Sequence, residues 1–174
     1  METGAVDDVE NVPHFMGINS HRKPLSRAVE SMGFAMVYFE LEPGETFSGG
    51  LHTHHDQEEL FYVLEGTATF ETKAGPGAEP ETHAVGPGEF VHFERGGLYQ
   101  SGGNRSDEPV VALAVGVGTP RHGWAETEVL FDCATCGEET VHDVVADDPD
   151  DERMPDPEEM TLVCTECGTV IEVE

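Results

Sequence analysis

The stretch GGLHTHHDQEELFYVLEG, from Gly49 to Gly66, decides the fold. It contains two short strand-like runs, Leu51–His55 and Leu60–Leu64, and each lies beside a turn that contains glycine. Residues two apart on a strand point to the same face, so His52 and His54 share a face. Glu59 lies beyond a short turn, immediately before the second run, where its carboxylate can return to the same interior. The stretch therefore predicts two strands with polar side chains gathered between them.

Similar runs fill the chain on both sides of this stretch, with Gly and Pro between them. The further predicted strands are Phe34–Leu41, Thr67–Thr72, Thr82–Val85, Glu89–Phe93 and Val110–Val117. Many short strands with such punctuation are typical of a sandwich or a small barrel. Leu25–Val29 is expected as a short helix or an edge strand. No stretch with helical periodicity is long enough to form the helices that connect parallel strands. A parallel α/β sheet is therefore excluded, and the predicted fold class is all-β.

The side chains of His52, His54 and Glu59 form a candidate metal site. Two imidazoles and one carboxylate make a three-ligand facial set that leaves open positions. Such a set suits Fe(II), Mn(II), Ni(II), Co(II) or Zn(II). The sequence therefore predicts a divalent transition metal here.

These residues resemble the first motif of the cupin superfamily, G-x5-H-x-H-x(3–4)-E-x6-G. His52, His54, Glu59 and Gly66 have its spacing, whereas Thr46 stands at the position of its first glycine. The resemblance covers about residues 34–117. It implies a double-stranded β-helix, or jelly-roll barrel, with a metal or a ligand in its lumen.

The second cupin motif, G-x5-P-x-G-x2-H-x3-N, is matched only in part. Pro87-Gly88 resembles its opening, and Asn104 its end, but Gln100 stands where histidine is usual. The resemblance implies that Gln100 either ligates the metal through its amide oxygen or hydrogen-bonds a bound water or substrate. His92 is the alternative fourth ligand. Tyr99 and Gln100 are the candidate catalytic residues, Tyr99 as a proton donor or else as a packed barrel residue.

Four cysteines form two C-x2-C-G pairs late in the chain: Cys133 with Cys136, and Cys164 with Cys167. Four thiolates suit tetrahedral structural zinc. The predicted flanking strands are Glu128–Phe131, Thr140–Val145, Met160–Val163 and Thr169–Val173. The pattern resembles a zinc ribbon, and an acidic loop accounts for the 27 residues between the pairs.

The composition is strongly acidic. The 174 residues include 36 Asp or Glu and 8 Lys or Arg, which gives a net charge of −28, and only two of the bases are lysines. A folded chain of this charge repels itself, and high salt screens that repulsion. We therefore expect a halophilic, cytoplasmic protein. The charge disfavours nucleic acid as a partner, and no apolar stretch is long enough to suggest a membrane partner.

These observations predict an N-terminal segment packing on the barrel (1–33), a cupin barrel (34–118), a linker (119–128) and a zinc-ribbon-like domain (129–174). The predicted function is a metal-binding cupin that binds or acts on a small molecule in the lumen, as a metal-dependent dioxygenase or isomerase. The alternative is a non-catalytic ligand sensor whose ribbon docks on a protein partner. The sequence leaves open whether the site is catalytic and whether the chain forms a homodimer.

Overall fold

A computed structural model describes residues 1, 3–14, 18–29, 33–118, 126–146 and 159–172. Within them the chain forms thirteen strands, one α-helix and a 3-10 turn at Val6–Asp8. The helix, α1, spans Leu25–Ala28. The strands are β1 His21–Pro24, β2 Phe34–Leu41, β3 His52–His54, β4 Glu58–Glu65, β5 Ala68–Lys73, β6 Glu81–Val85, β7 Phe90–Phe93, β8 Tyr99–Gly103, β9 Val110–Val117, β10 Thr127–Cys133, β11 Glu138–Ala146, β12 Met160–Cys164 and β13 Val170–Glu172.

The strands form two antiparallel sheets. One sheet has the order β1-β2-β9-β4-β7, and the other has the order β13-β12-β11-β10-β3-β8-β5-β6. The prediction of an all-β fold is confirmed. No helix of the described residues is long and apolar enough to cross a membrane.

The core lies between the two sheets and is rich in phenylalanine. The alternating burial of β2 and β9 places every second side chain of each strand in this core. Neighbouring rings in the core have centroids 5.1–6.2 Å apart. The residues concerned are Phe39, Phe47, Phe61, Phe70 and Phe93. Burial of each such ring stabilises the fold by about 1.5–3 kcal/mol, so this cluster holds the two sheets together.

Most predicted strands are present, and β2 and β9 have the predicted bounds. Two observed strands, β1 and β8, were not predicted. β8 ends in Gly102 and Gly103, and in the sequence such a glycine pair predicts a turn and not a strand. A Cβ at Gly102 would lie 2.3 Å from Cε1 of Phe70, so this strand needs glycine for the core to close.

The C-terminal unit continues the sheet of the barrel. β10 pairs with β3, with Thr127 opposite His54 and Val129 opposite His52. β10 begins inside the predicted linker, whose residues 119–125 lie outside the described residues, as does most of the predicted acidic loop (147–158). One sheet includes strands from both sides of the predicted boundaries at 118 and 129. The division of the chain at these residues stays a prediction.

The turn after β4 requires glycine at position 66. Gly66 has a φ of +72°, and a Cβ there would lie 2.2 Å from the carbonyl oxygen of Pro109. Both the left-handed backbone and the close approach of the Pro109 carbonyl disfavour any side chain.

We predict that Gly66→Ala lowers the free energy of unfolding by about 2–5 kcal/mol, the sum of a left-handed penalty and an overpacking cost. Gly44→Ala is the matched control, because Gly44 has a φ of +89° but open space around its Cβ. Gly44→Ala should lower the free energy of unfolding by only about 1–2 kcal/mol. Urea unfolding at a fixed KCl concentration measures both values. Equal losses in the two variants would show that the Pro109 contact relaxes.

Candidate metal centre

His52, His54 and Glu59 meet between the two sheets. The histidines come from β3 and the glutamate from β4 of the other sheet. Oε2 of Glu59 lies 3.9 Å from Nε2 of His52 and 3.7 Å from Nε2 of His54. All three side chains are buried, and their donor atoms lie within 4.8 Å of one another. The structure thus brings the three predicted ligands together.

Hydrogen bonds on the far side of each imidazole orient the two rings. Nδ1 of His52 donates to the carbonyl oxygen of Gly50 at 2.8 Å, and this bond directs its Nε2 at the cluster. Nδ1 of His54 lies 2.9 Å from the buried hydroxyl of Thr127. Partners of this kind fix the orientation of a ligating imidazole and raise its basicity.

Gln100 completes the cluster from β8, where it lies opposite His52. Its Nε2 donates to Oε2 of Glu59 at 2.8 Å and lies 3.1 Å from Nε2 of His52. Its Oε1 is buried without a hydrogen-bond partner. Rotation of the amide group by half a turn would exchange its nitrogen and oxygen. Oε1 would then face the position between the other donors, where a cation would bind.

The cluster fits a divalent metal ion by chemistry and by spacing. Two atoms bound about 2.1 Å from one ion lie about 3.0 Å apart at a right angle and about 3.4 Å apart at a tetrahedral angle. The observed carboxylate–imidazole separations of 3.7 and 3.9 Å need only a small contraction. Two imidazoles, a carboxylate and an amide oxygen are a donor set for first-row transition metals.

Residues 37–116 match the family model described as a cupin domain. The barrel has the cupin fold, and the matched residues make up slightly under half of the chain. A comparison with curated proteins found no match.

Solved structures show the same fold. A sugar phosphate isomerase of Silicibacter pomeroyi, described as a cupin superfamily member, is 20% identical; the match covers 98% of this chain and 92% of that chain, with a TM-score of 0.58. A candidate sugar phosphate isomerase of Acidithiobacillus ferrooxidans is 23% identical over 95% of this chain and 85% of that chain, with a TM-score of 0.55. An oxalate decarboxylase of Lactobacillus farciminis is 18% identical over 70% of this chain and 33% of that chain, with a TM-score of 0.52. At these identities the likeness concerns the fold alone.

The remaining candidates of the cupin barrel lie away from the cluster. Tyr99 precedes Gln100 on β8, so its side chain points to the opposite face, where its hydroxyl donates to Glu128 at 2.7 Å. Burial and this hydrogen bond raise the pKa of Tyr99. The half-exposed His92 pairs with Glu58 at 3.1 Å on the outside of the barrel. Gln100, and not His92, therefore faces the histidine and glutamate donors.

The four cysteines form a second compact cluster. Sγ of Cys133 lies 3.6 Å from Sγ of Cys167, and Sγ of Cys136 lies 3.9 Å from Sγ of Cys164. Four sulfurs about 2.3 Å from a tetrahedral zinc ion are about 3.8 Å apart, whereas a disulfide needs about 2.05 Å. A hydrogen bond from the Thr140 hydroxyl lowers the pKa of Cys164 to about 6, whereas hydrogen bonds to the neighbouring thiols, Cys167 first, raise the pKa of Cys136.

The N-terminal segment adds buried polar residues that the sequence analysis did not predict. His14 is buried, and its backbone N–H donates to Oδ1 of Asn19 at 3.0 Å, whose Nδ2 donates to the carbonyl of Thr46. Burial lowers the pKa of His14 to about 4, and the charges of Arg22 and His52 contribute. No sequence signal could have found His14, because it lies in a segment without apolar periodicity.

Arg22 on β1 is also buried, with 6% of its surface exposed. It lies opposite the core residue Phe39, so its side chain points between the sheets. Its Nη1 donates to the carbonyl of Val12 at 3.3 Å, and no acidic side chain of the described residues forms an ion pair with it. Burial lowers its pKa to about 10, which leaves the guanidinium charged at neutral pH.

We predict a pH dependence of stability that comes from His14. Its folded pKa, about 4, lies below its ordinary value of 6.5, so below pH 6.5 the unfolded chain binds a proton that the folded chain does not. The free energy of unfolding should be unaffected by His14 above pH 6.5 and should fall as the pH decreases towards 4. Urea unfolding of wild type and His14→Gln at pH 7.5, 6 and 5 should show a shallower loss in the variant. Parallel pH profiles would contradict this assignment.

Proposed function

We propose that the cupin barrel binds a divalent transition metal ion through His52, His54, Glu59 and Gln100 and acts on a small anionic molecule held beside that ion. The observation that carries the proposal is the buried cluster of these four side chains, with Oε1 of Gln100 left without a partner. The metal would be Fe, Mn, Ni, Co or Zn, and the cysteine cluster would hold structural Zn.

An isomerase fits this site best. A bound divalent ion supplies a Lewis acid that stabilises negative charge on ligand oxygens. Arg22 supplies a buried positive charge on the interior face of β1, which suits a phosphate or a carboxylate of the ligand. Two of the structurally similar proteins are described as sugar phosphate isomerases, one of them as a candidate, and their substrates are anionic.

Two other functions remain as alternatives with distinct signatures. A dioxygenase would require iron in the barrel and would consume dioxygen, because two histidines and a carboxylate are also the ligand set of non-haem iron oxygenases. A non-catalytic sensor would use its C-terminal unit to dock on a protein, an alternative that the exposed Phe131, Val145 and Val170 favour. Element analysis and dioxygen consumption separate the first alternative from an isomerase.

The proposed setting is a reducing cytoplasm of high salt. Four cysteines are free to bind metal only where they stay reduced. A net charge of −28 favours a solvent whose salt screens repulsion between carboxylates.

We predict that wild-type protein purified in high salt contains two metal ions per chain. His54→Ala should leave one zinc per chain, because the barrel loses an imidazole ligand while the cysteine cluster remains intact. Gln100→His should bind the barrel ion more tightly, because imidazole is a stronger ligand than an amide oxygen. His92→Ala is the matched control and should keep two ions, since His92 faces Glu58 outside the barrel. Element-resolved analysis after dialysis measures all four proteins, and a single zinc ion in metal-replete wild type would refute the barrel centre.

We predict that Arg22 contacts the anionic part of the ligand. Arg22→Met should weaken the binding of inorganic phosphate to the metal-loaded protein by about 10-fold or more, since a buried charge-assisted contact contributes about 1.5–3 kcal/mol. The variant should fold, because a methionine replaces a buried charge by an apolar chain of similar length. The exposed Arg27 provides the control Arg27→Met, which should bind phosphate like wild type. Calorimetric titration at constant ionic strength gives the dissociation constants, and equal values for both variants would remove Arg22 from the site.

A further inference from the structure

The strand β10 joins the two clusters of potential metal ligands. It begins at Thr127, beside His54, and ends at Cys133, the first of the four cysteines. Seven residues of extended chain span about 20 Å, so a single short strand separates the barrel donors from the thiols.

The histidine strand of the barrel depends on β10 for most of its backbone partners. β3 has three residues in register with β10 and one residue, His52, in register with β8. Two further hydrogen bonds extend the pairing beyond the strand: His55 N–H donates to the carbonyl of Glu126, and Leu130 N–H donates to the carbonyl of Leu51, each at 2.9 Å. Release of β10 would therefore leave His52 and His54 on a strand held on one side only.

Side chains of β10 also hold the histidine motif from both faces of the sheet. On the interior face, the Thr127 hydroxyl lies 2.9 Å from Nδ1 of His54. On the other face, the Glu128 carboxylate accepts a hydrogen bond from Tyr99 at 2.7 Å and lies 3.1 Å from Nε2 of His55. Lys73 of β5 pairs with Glu139 of β11 and gives the barrel a second tie to the same unit.

The C-terminal unit has little apolar core with which to hold β10 in place. Apart from Cys133 and Cys164, its buried apolar residues within 126–146 and 159–172 are Leu130, Val144 and Met160. Residues 125–174 contain 17 acidic residues and one base, Arg153, so the unit also repels itself. A unit of this size and charge needs a bound ion to stay folded.

We propose that zinc in the four-cysteine cluster controls the metal affinity of the barrel through β10, with Thr127 as the residue that positions His54. The inference rests on the proposed function, because it assumes a metal centre in the barrel. Loss of zinc would release β10 from β3 and remove the hydroxyl from His54. The reverse coupling has the same size, so a barrel metal ion would help the cysteine unit to keep its zinc.

The test uses the full chain and titration with Mn²⁺, followed by the electron paramagnetic resonance signal of the free ion. Mn²⁺ prefers nitrogen and oxygen donors, so it reports on the barrel while zinc occupies the thiolates. We expect Cys136→Ser to weaken Mn²⁺ binding by about 10-fold or more, in the range found when a hydrogen-bonding partner of a ligand is lost. Glu166→Gln, an exposed change between Cys164 and Cys167, is the matched control and should bind like wild type.

Thr127 variants test the positioning role without touching a thiol. Thr127→Val keeps the shape of the side chain but removes the hydroxyl, and it should weaken Mn²⁺ binding by about 10-fold. Thr127→Ser restores the hydroxyl and should return the affinity to within about threefold of wild type, whereas a purely packing role would leave serine as weak as valine. These variants also keep the test decisive if Cys136→Ser fails to fold.

The outcomes separate the two proposals. If wild type binds Mn²⁺ in the barrel and both Cys136→Ser and Thr127→Val bind it equally well, the coupling is overturned and the metal centre stands. If wild type binds no more Mn²⁺ than His54→Ala does, the barrel centre itself is overturned, and the coupling falls with it. Weaker binding in both variants, with rescue by serine, supports the coupling.

Discussion

The approach of Glu59 to two histidines across the gap between the sheets is the constraint on which this structure depends. His54 ends β3 in one sheet, and Glu58 begins β4 in the other, so three residues carry the chain from one layer to the next. The sheets must lie close enough for carboxylate and imidazole atoms to come within 3.7–3.9 Å. The phenylalanine cluster holds the sheets together, and the polar donors are thereby buried away from water.

The two lysines of the chain show how an acidic protein uses scarce positive charge. Lys23 donates to the carbonyl of Val6 at 3.1 Å and ties the N-terminal turn to β1. Lys73 pairs with Glu139, whose carboxylate also accepts from the backbone N–H of Gly77, and the hydrogen bond from Lys73 lowers the pKa of Glu139. Both lysine side chains are largely covered, at 14% and 11% exposure. The bases thus join segments that lie far apart in sequence, while the exposed surface remains acidic.

The sequence predicts the parts of this fold whose signal is local. β2 and β9 alternate cleanly between the core and the outer face, so their bounds are correct to the residue. The donors His52, His54 and Glu59 lie together because strand alternation and a short connection determine where they point. β8 was not predicted as a strand, because the packing of Phe70 requires glycine where a strand ordinarily has a side chain. Thr127 and Arg22 carry no local signal, since their importance comes from partners 73 residues away in one case and from burial in the other.

The charges inside the barrel give a physical reason to expect both a cation and an anion there. Among the described residues, Glu59 and Arg22 are the only Asp, Glu, Lys or Arg side chains that are buried. Three strand intervals separate β4 from β1 in their common sheet, about 14 Å between the two backbones, so the two charges enter the interior from different strands. Burial of an ion costs several kcal/mol unless opposite charge lies close to it. A divalent ion beside Glu59 would add such charge but would make an interior that already holds Arg22 more positive. An anionic ligand that contacts the metal and extends towards Arg22 would offset that excess, so metal and ligand each make burial of the other less costly.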